Sequence, residues 1–395
     1  MPPSADGGPQ EPGPCGLVLT GGGARSAYQV GVLKGIAELL PHGPSSPFPI
    51  ITGTSAGAVS AVALASDAAH FRRAVLAIER VWHNFRVQQV FKADAVSMLR
   101  SGLHWMLALL TGGSVVPPPH AMLDNAPLRA LLGAHLKFGN IARGIAQGHL
   151  RAIGICATSY GHADSVTFFA GAAGIDPWRA ASRRGIPAAL TLDHLMASLA
   201  IPFLFRPVLV ADQYYGDGAM RQTSPLSPAI QLGAGRLLVI GVTETHAEDA
   251  GPAAAAPTFG QMFGFMLDSL FMDQLHADLE RINRRETAGR SRIGALVIAP
   301  SKDLTEIARR HAAELPRSLR VLLRTLGATG ASGTQLLSYL LFERAFTREL
   351  IELGLKDARR RAEELRTYLA IERRRRPRAA RRAGAVTTDP ATRGA

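Results

Sequence analysis

Phe48-Pro49-Ile50-Ile51-Thr52-Gly53-Thr54-Ser55-Ala56-Gly57 is the stretch around which this chain is organised. Its apolar first half predicts a short buried strand, and the small residues that follow Gly-x-Ser-x-Gly are compatible with a helix. A serine at such a junction lies on a tight turn, where flanking glycines leave room and the amides of the next helix point toward its hydroxyl. This geometry suits a nucleophile whose attack generates an oxyanion, although the pentapeptide alone also fits a purely structural turn.

A second unit of the same kind comes earlier in the chain. Residues 17–20 predict a buried strand, Gly21-Gly22-Gly23-Ala24-Arg25-Ser26 a turn, and apolar residues between 27 and 40 recur on one helical face. A glycine turn beside a helix N-terminus exposes amides that can bind an anion. A right-handed crossover between the two units would make their strands parallel and bring both turns to one sheet edge. The two turns could then face one substrate.

Alternating strands and helices, followed by helices alone, indicate an α/β fold with a helical C-terminal portion. Further strands are expected at 153–158, 166–169, 206–210, 237–242 and 295–299, with a hairpin turn near 159–164. Helices are expected at 192–199, 259–282, 304–326 and 334–369. The expected divisions are a disordered segment at 1–14, a main domain at 15–246, a largely helical portion packed on it at 247–370, and a disordered tail at 371–395.

Composition describes a globular protein, with 47% hydrophobic and 19% charged residues. Two cysteines, Cys15 and Cys156, are too few for a disulfide framework or a thiolate metal site, and reduced thiols fit a cytoplasmic setting. Residues 1–14 lack the features of a secretory signal, and no apolar run approaches the ~18–20 residues of a spanning helix. A cytoplasmic protein is therefore expected, and no convincing ligand cluster for a metal or another cofactor is visible in the sequence.

The tail after Tyr368 concentrates positive charge. Its eight arginines and two acidic residues contribute +6 of the net charge of +13. Such a segment is either a solvated disordered tail or a segment that is attracted to an anionic membrane surface. Specific nucleic-acid binding is disfavoured, because no aromatic residue lies among the arginines to stack on bases.

Two apolar groups of side chains allow two interpretations each. The mostly helical segment 71–140 supplies either core residues or a cap over the site, namely Trp82, Phe85, Phe91, Trp105 and Met106. The helix expected from 259 carries methionines and phenylalanines that are interpreted as core rather than as a lipid-facing stripe: Met262, Phe263, Phe265, Met266, Phe271 and Met272.

A carboxylate on a sharp turn completes the chemistry. A serine hydroxyl needs a base within hydrogen-bond reach and donors for the developing oxyanion. Asp217 lies between Gly216 and Gly218 after a predicted strand, a placement that suits presentation into a cleft. Asp-Gly is also common in structural turns.

Three motifs, in this order, resemble those of bacterial patatin-like phospholipases: Gly21-Gly22-Gly23-Ala24-Arg25, Gly53-Thr54-Ser55-Ala56-Gly57 and Asp217-Gly218-Ala219. The resemblance continues through Ala200-Ile201-Pro202 and the C-terminal helices, so that it covers about residues 15–369. Ser26 is a departure, because the family commonly has glycine after the arginine.

The resemblance implies a three-layer core, with a mostly parallel sheet flanked by helices, and hydrolysis of lipid acyl esters through an acyl-enzyme. The resemblance implies substrates of the phospholipase A or lysophospholipase type, and it implies no requirement for a metal. By the same resemblance Ser55 is the nucleophile and Asp217 the base, without a catalytic histidine. The remaining motif residues form the oxyanion-hole loop (Gly21, Gly22, Gly23, Arg25), the nucleophile turn (Gly53, Thr54, Ala56, Gly57) and the third motif (Gly218, Ala219).

Three other interpretations remain open. An α/β-hydrolase with a Ser–Asp–His triad could use His246, His276 or His311, but that fold places several strands before its nucleophile. Gly21-x-Gly23-x-x-Ser26 nearly matches a dinucleotide-binding fingerprint, yet no acidic residue ends a second strand at the right distance. A lipid-binding protein of the same fold without catalysis is the third possibility.

Overall fold

The computed structural model describes residues 13–41, 46–243, 256–287, 293–328 and 334–371. Almost all of the predicted N-terminal segment and of the arginine-rich tail lies outside these ranges. So does most of the predicted Ala/Pro/Gly linker at 247–257. The divisions at 15, 247 and 371 therefore stay predictions.

A mixed, mostly parallel sheet forms the centre of the molecule. The strands are β1 (Cys15–Leu19), β2 (Ile50–Thr54), β3 (Ala152–Ser159), β4 (Ser165–Gly171), β5 (Trp178–Ala180), β6 (Arg183–Pro187), β7 (Val208–Val210), β8 (Gln213–Asp217), β9 (Arg236–Ile240) and β10 (Gly294–Ile298). Neighbours in the series β10-β9-β1-β2-β3 are all parallel. β4 and β8 both pair with β3 in the antiparallel sense.

Helices flank this sheet, as the α/β prediction requires. They are α1 (Ala27–Leu39), α2 (Ala56–Ser66), α3 (Phe71–Trp82), α4 (Val87–Val90), α5 (Ala95–Leu110), α6 (Ala126–His135), α7 (Gly139–Ala146), α8 (Leu192–Ser198), α9 (Ser227–Gln231), α10 (Phe259–Thr287), α11 (Leu304–His311), α12 (Arg317–Thr325), α13 (Thr334–Leu340), α14 (Arg344–Arg360) and α15 (Ala362–Tyr368). In the described part of the chain, no helix has both the length and the apolar content that crossing a bilayer demands.

The register of β1 and β2 confirms the expected placement of the two glycine turns. Gly16 lies opposite Ile50 and Leu19 opposite Gly53 in a parallel pair. Both strands consist entirely of buried residues, which agrees with their lack of charged side chains. Because parallel strands end at the same edge, the turn after Leu19 and the turn after Thr54 lie side by side.

The C-terminal helices pack closely on this core. A Cβ atom on Gly31 of α1 would lie 2.0 Å from the carbonyl oxygen of Ile351, and one on Gly354 of α14 would lie 2.2 Å from that of Tyr28. The two helices therefore touch backbone to backbone, which only glycine at both positions permits. β10 also extends the parallel sheet beyond β9, so residues after 256 complete the core.

Two long helices predicted near the C-terminus are each divided, and this part of the prediction was wrong. The predicted helix 304–326 is divided, since α11 ends at His311 and α12 begins after Pro316. Proline cannot donate the hydrogen bond that a helix interior needs. The predicted helix 334–369 is divided into α13, α14 and α15 by the buried segment 341–343 and by a bend at Arg361.

The apolar groups divide between the two interpretations. Trp82, Phe85 and Phe91 are buried, as expected of core residues, whereas Trp105 is half-buried and Met106 is exposed. The core interpretation was wrong for two side chains of α10, because Met262 and Phe265 are exposed. Phe263 is buried and Met266 half-buried; the side chains of Phe271 and Met272 lie outside the described part.

Candidate active site

Ser55 occupies the sharp turn between β2 and α2. Its backbone has φ 51° and ψ −129°, a combination that an L-residue rarely adopts. Such strain persists only where the surroundings impose it, and it is frequent at functional sites. Here the amide of Ser55 donates a 2.9 Å hydrogen bond to Oγ of Ser198 at the end of α8. The turn therefore holds the serine side chain in one direction.

Two glycines let this turn pack directly against its neighbours. A Cβ on Gly57 would lie 2.4 Å from the carbonyl oxygen of Leu19 and 2.5 Å from that of Thr20. A Cβ on Gly53 would lie 2.6 Å from the Cα of Ala58. The N-terminus of α2 is thus pressed against the end of β1, where the Gly21-Gly22-Gly23 turn begins.

The amides needed for an oxyanion are available at this junction. The first N–H groups of a helix have no partner within the helix. This applies to Ala56 and Gly57 in α2 and to Gly23 in the 3₁₀ turn Gly23–Ser26. Among the described backbone hydrogen bonds outside helices and strands, none has Gly22 or Gly23 as its donor. Gly23 and Ala56 line the same pocket as Ser55, so the pocket has two helix N-termini with their positive partial charge at its wall.

Asp217 lies at the end of β8, opposite Ala157 of β3, and is almost fully buried. Its Oδ1 accepts a 2.9 Å hydrogen bond from the amide of Ala219, and its backbone N–H donates to the carbonyl of Ala200. In the described part of the chain, Oδ2 has no partner of full hydrogen-bond geometry. Gly218 permits the turn, since a Cβ there would lie 2.3 Å from the carbonyl oxygen of Cys156.

Burial raises the pKa of Asp217 from 3.8 to about 7, while hydrogen bonding from the Ser55 hydroxyl and the Ala219 amide lowers it by a smaller amount. The Ser55 hydroxyl is therefore close enough to act on the carboxyl, although the contact is too loose to count as a full hydrogen bond to Oδ2. Catalytic contacts are often loose without substrate. The carboxyl has the proton affinity of a base that works near neutral pH.

Two buried polar residues that the sequence analysis missed connect these parts. Ser198 accepts the Ser55 amide, as described above, and Gln222 accepts a 2.8 Å hydrogen bond from the hydroxyl of Thr54. Gln222 follows the Asp217 turn, so it joins that turn to the strand that ends at the nucleophile. Both contacts span more than a hundred residues of sequence, and no local pattern marks them.

The side chain of Arg25 is bonded to residues of the C-terminal helices. Its guanidinium forms a 2.7 Å ion pair with Asp268 of α10, donates a 2.7 Å hydrogen bond to Oγ of Ser338, and lies 4.1 Å from the ring centroid of Tyr339. Of the two roles that the sequence allows, a positive charge at the oxyanion or a pin for the glycine loop, this geometry favours the pin.

We expect replacement of Arg25 by methionine to lower the free energy of unfolding by about 3–5 kcal/mol, because it leaves Asp268 and buried hydroxyls without their cation. Urea unfolding followed by circular dichroism measures the change. The matched control is Arg80→Met on the exposed face of α3, which should change stability by less than about 0.5 kcal/mol. Loss of esterase activity in Arg25→Met with an unchanged unfolding midpoint would contradict the pin.

Ser55 opens onto a small apolar pocket. Its free volume is about 40 Å³, and its walls are mostly aromatic and aliphatic side chains, including Trp82, Phe85, Leu132, Phe205 and Phe342. Three of these rings form a cluster with centroids 5.1–6.4 Å apart. The cap interpretation of Trp82 and Phe85 is thus compatible with their burial: they lie in the core and line the site.

The histidines of the triad interpretation are placed as follows. His276 is exposed on α10, and both ring nitrogens of His311 are bonded to Glu314 and Glu349. His246 lies outside the described residues. Neither described histidine is a hydrogen-bond partner of Asp217. Within the same described ranges, no cluster of three potential metal ligands occurs.

Comparison with known proteins agrees with this geometry. The family model described as patatin-like phospholipase matches residues 17–230, more than half of the chain. The matched region includes β1 with its glycine turn, the Ser55 turn and the Asp217 turn. No curated protein matched the chain.

Proposed function

Because the chain belongs to the patatin-like phospholipase family, whose members are lipid acyl hydrolases, we propose that it cleaves lipid acyl esters with a dyad of Ser55 and Asp217. The observation that supports the dyad best is the state of Asp217. Its carboxyl is buried, has a pKa raised to about 7, and has its Oδ2 without a full partner beside the Ser55 hydroxyl.

The proposed reaction has two halves. In the first, Asp217 takes the hydroxyl proton of Ser55 while Oγ attacks the acyl carbonyl carbon, and the carbonyl oxygen becomes an oxyanion. The amides of the Gly21–Gly23 turn and of the α2 N-terminus stabilise that charge. Collapse breaks the ester C–O bond, and the departing alcohol takes the proton from Asp217. Water then repeats the sequence on the acyl-enzyme and releases the fatty acid.

A histidine is unnecessary for this chemistry if the carboxyl is a strong enough base. An exposed aspartate with a pKa near ~3.9 is a poor acceptor of a serine proton. Desolvation raises the proton affinity of Asp217 by the amount that a base for neutral pH requires. The burial that positions the side chain therefore also makes it basic.

The walls of the pocket support an acyl chain as the group bound next to Ser55. Apolar and aromatic side chains around a single nucleophile offer no partner for a charged or sugar-like group. Its free volume of about 40 Å³ is far below the roughly 300–1,000 Å³ of a typical ligand pocket. Side chains of the wall must therefore move apart when a long acyl chain enters.

The test is product analysis with purified protein and a mixed panel of phospholipids and lysophospholipids. We expect release of free fatty acid together with the matching lysolipid or glycerophospho compound, and no release of phosphorylated head groups. The Ser55→Ala protein is the blank. Fatty acid release at equal rates by both proteins would defeat the assignment of Ser55.

A further inference from the structure

We propose that an apolar surface beside the active site docks onto an anionic lipid bilayer. The docking face consists of Leu99, Leu103, Met106 and Leu110 of α5 together with Met262 and Phe265 of α10. All six side chains are exposed, Leu99 by 74%, Leu110 by 76% and Phe265 by 68%. Single exposed apolar residues are ordinary, whereas six of them on two helices that line the same groove indicate an interaction surface.

The sequence of α5 shows why exposure of this apolar face to water is unfavourable. Its 16 residues include one charged residue, Arg100, and apolar residues occupy both of its faces. A helix that is apolar all round is normally buried. Here Met98 and Trp105 turn toward the protein, while Leu99, Leu103 and Leu110 turn toward solvent at helical spacing. The outward stripe therefore has no partner within the described chain.

α5 and α10 are the two walls of one groove. The groove has a volume of about 630 Å³, and Met98 and Trp105 line it from α5 while Met262 and Met266 line it from α10. A void of about 20 Å³ shares Leu123 and Phe263 with the groove and Leu340 with the Ser55 pocket. The groove and the Ser55 pocket are thus neighbours, each sharing lining residues with the void between them.

One loop connects the groove with both residues of the proposed dyad. Phe203, which is 61% exposed, lines the groove and has a φ of 65°, a strained value for a bulky residue. Three residues earlier the Ala200 carbonyl accepts the amide of Asp217, and Ser198 accepts the amide of Ser55. The segment that carries Phe203 is therefore hydrogen-bonded to the backbone of both residues of the proposed dyad.

The charged residues around the docking face indicate what kind of partner binds to it. Arg100 lies on α5 among the exposed leucines, and Arg317 and Arg324 flank the exposed Val321 on α12, next to groove residue Leu322. In the part of the chain that the structure describes, none of these arginines has an ion-pair partner. An exposed apolar surface with a basic rim suits an anionic bilayer, where basic residues add to the binding.

The other candidates fit less well. Two copies of the chain joined face to face would bring the same arginines together, and like charges at a contact oppose association. The flanking acidic groups are already engaged: Asp94 caps α5 through the amide of Ser97, and Asp124 forms an ion pair with Lys92. The carboxylate of Asp94 keeps its negative charge while it caps α5, but one such group per copy does not balance three arginines across a contact between two copies.

The test is flotation of full-length Ser55→Ala protein with vesicles of phosphatidylcholine alone and with 30% phosphatidylglycerol. We expect binding to the anionic vesicles, and a partition coefficient at least ~10-fold lower for Leu99→Asp/Leu103→Asp, because two exposed leucines no longer enter the interface. Arg317→Glu/Arg324→Glu should weaken binding to anionic vesicles only. The controls are Leu76→Asp and Arg80→Glu, which change exposed residues of α3 outside the face.

Three outcomes would overturn the proposal. The first is full binding by the Leu99→Asp/Leu103→Asp protein, including the case in which only replacement of Arg373–Arg376 by alanine abolishes flotation. The second is an equal effect of Leu76→Asp. The third is a dimer in sedimentation that the leucine changes dissociate, without vesicle binding by the parent. Circular dichroism verifies that each variant is folded.

The proposal rests on the proposed function in one respect, that its substrate is found in bilayers. The flotation assay uses a protein without the nucleophile, so it is independent of hydrolysis. Failure of the lipid panel with intact flotation would reject the proposed function alone. Hydrolysis of lipids in detergent micelles without flotation would reject the docking face alone.

Discussion

Ser55→Ala should lose turnover by about 10⁴-fold or more while the protein stays folded, since a catalytic nucleophile and its base act as one unit. The residual rate would come from the amides and from binding alone. Titration with a fluorophosphonate probe measures the same site independently: the wild type should take up one label per chain on Ser55, and Ser55→Ala none. Asp217→Ala combined with Ser55→Ala should cost little more than Ser55→Ala by itself.

Stability provides the control for this prediction. Ser55→Ala keeps the strained φ of 51° and removes one hydroxyl, so its free energy of unfolding should stay within about 1 kcal/mol of the wild type. Ser55→Gly relieves the strain and should be more stable than Ser55→Ala by about 1 kcal/mol. An unlabelled but fully folded wild-type protein would favour the lipid-binding interpretation over the enzyme.

The sequence was sufficient for the part of the fold that local patterns encode. β1 and β2 were predicted from buried-type apolar runs that end in glycine turns, and the parallel pair confirms them. The hairpin of β3 and β4 was also predicted, because a polar turn separates two apolar segments. In each case the signal lies within about ten residues of the element that it specifies.

Long-range contacts could not be obtained in this way. The ion pair of Arg25 with Asp268 joins residues 243 positions apart, and the bond from the Ser55 amide to Ser198 joins residues 143 apart. Nothing local distinguishes Ser198 from an ordinary helical serine. Its role follows only from the fold that brings α8 to the nucleophile turn.

Solvent exposure was the other property that the sequence left undetermined. Met262 and Phe265 belong to an apolar stretch of α10, for which burial is the ordinary expectation. The structure exposes them because α5 leaves a groove beside α10 and does not cover it. Pro316, in contrast, is a helix-breaking signal that the sequence does contain, and the division between α11 and α12 follows from it.

The competing interpretations of the glycine turn weaken for a physical reason. A Cβ on Gly22 would lie 2.5 Å from Cγ2 of Val242, and one on Gly23 would lie 2.4 Å from the carbonyl oxygen of Tyr339. Close packing against Val242 and Tyr339 thus explains why both positions are glycine, and no bound dinucleotide is needed to account for them. The family match over residues 17–230 likewise favours the hydrolase interpretation.

The second large effect concerns Asp217. Catalysis by a general base requires its deprotonated form, and the pKa of Asp217 is raised to about 7. We therefore expect kcat/KM to rise about tenfold per pH unit below pH 7 and to level off above it. Asp217→Asn should lower kcat/KM by about 10³-fold or more. It should also remove the rise of kcat/KM below pH 7, which is the acid limb of the pH profile. Initial rates with a soluble short-chain ester between pH 4.5 and 9 measure both.

A histidine base would give a similar limb, so the histidines provide the decisive control. His246→Gln, His276→Gln and His311→Gln should each keep both the rate and the limb near pH 7. Loss of the limb in one of them, with full activity retained in Asp217→Asn, would transfer the role of base to that histidine and restore the Ser–Asp–His interpretation.

The same pKa predicts how stability depends on pH. Below pH 3.8 the Asp217 carboxyl is protonated in both the native and the unfolded state, so it contributes no pH dependence. Between 3.8 and about 7 only the unfolded state loses the proton, which lowers native stability as pH rises; above about 7 the loss is complete. Asp217→Asn removes this loss. Its melting temperature, relative to the wild type, should therefore rise between pH 4 and 7 and stay constant above, and a flat difference would show that the buried carboxyl does not carry the raised pKa.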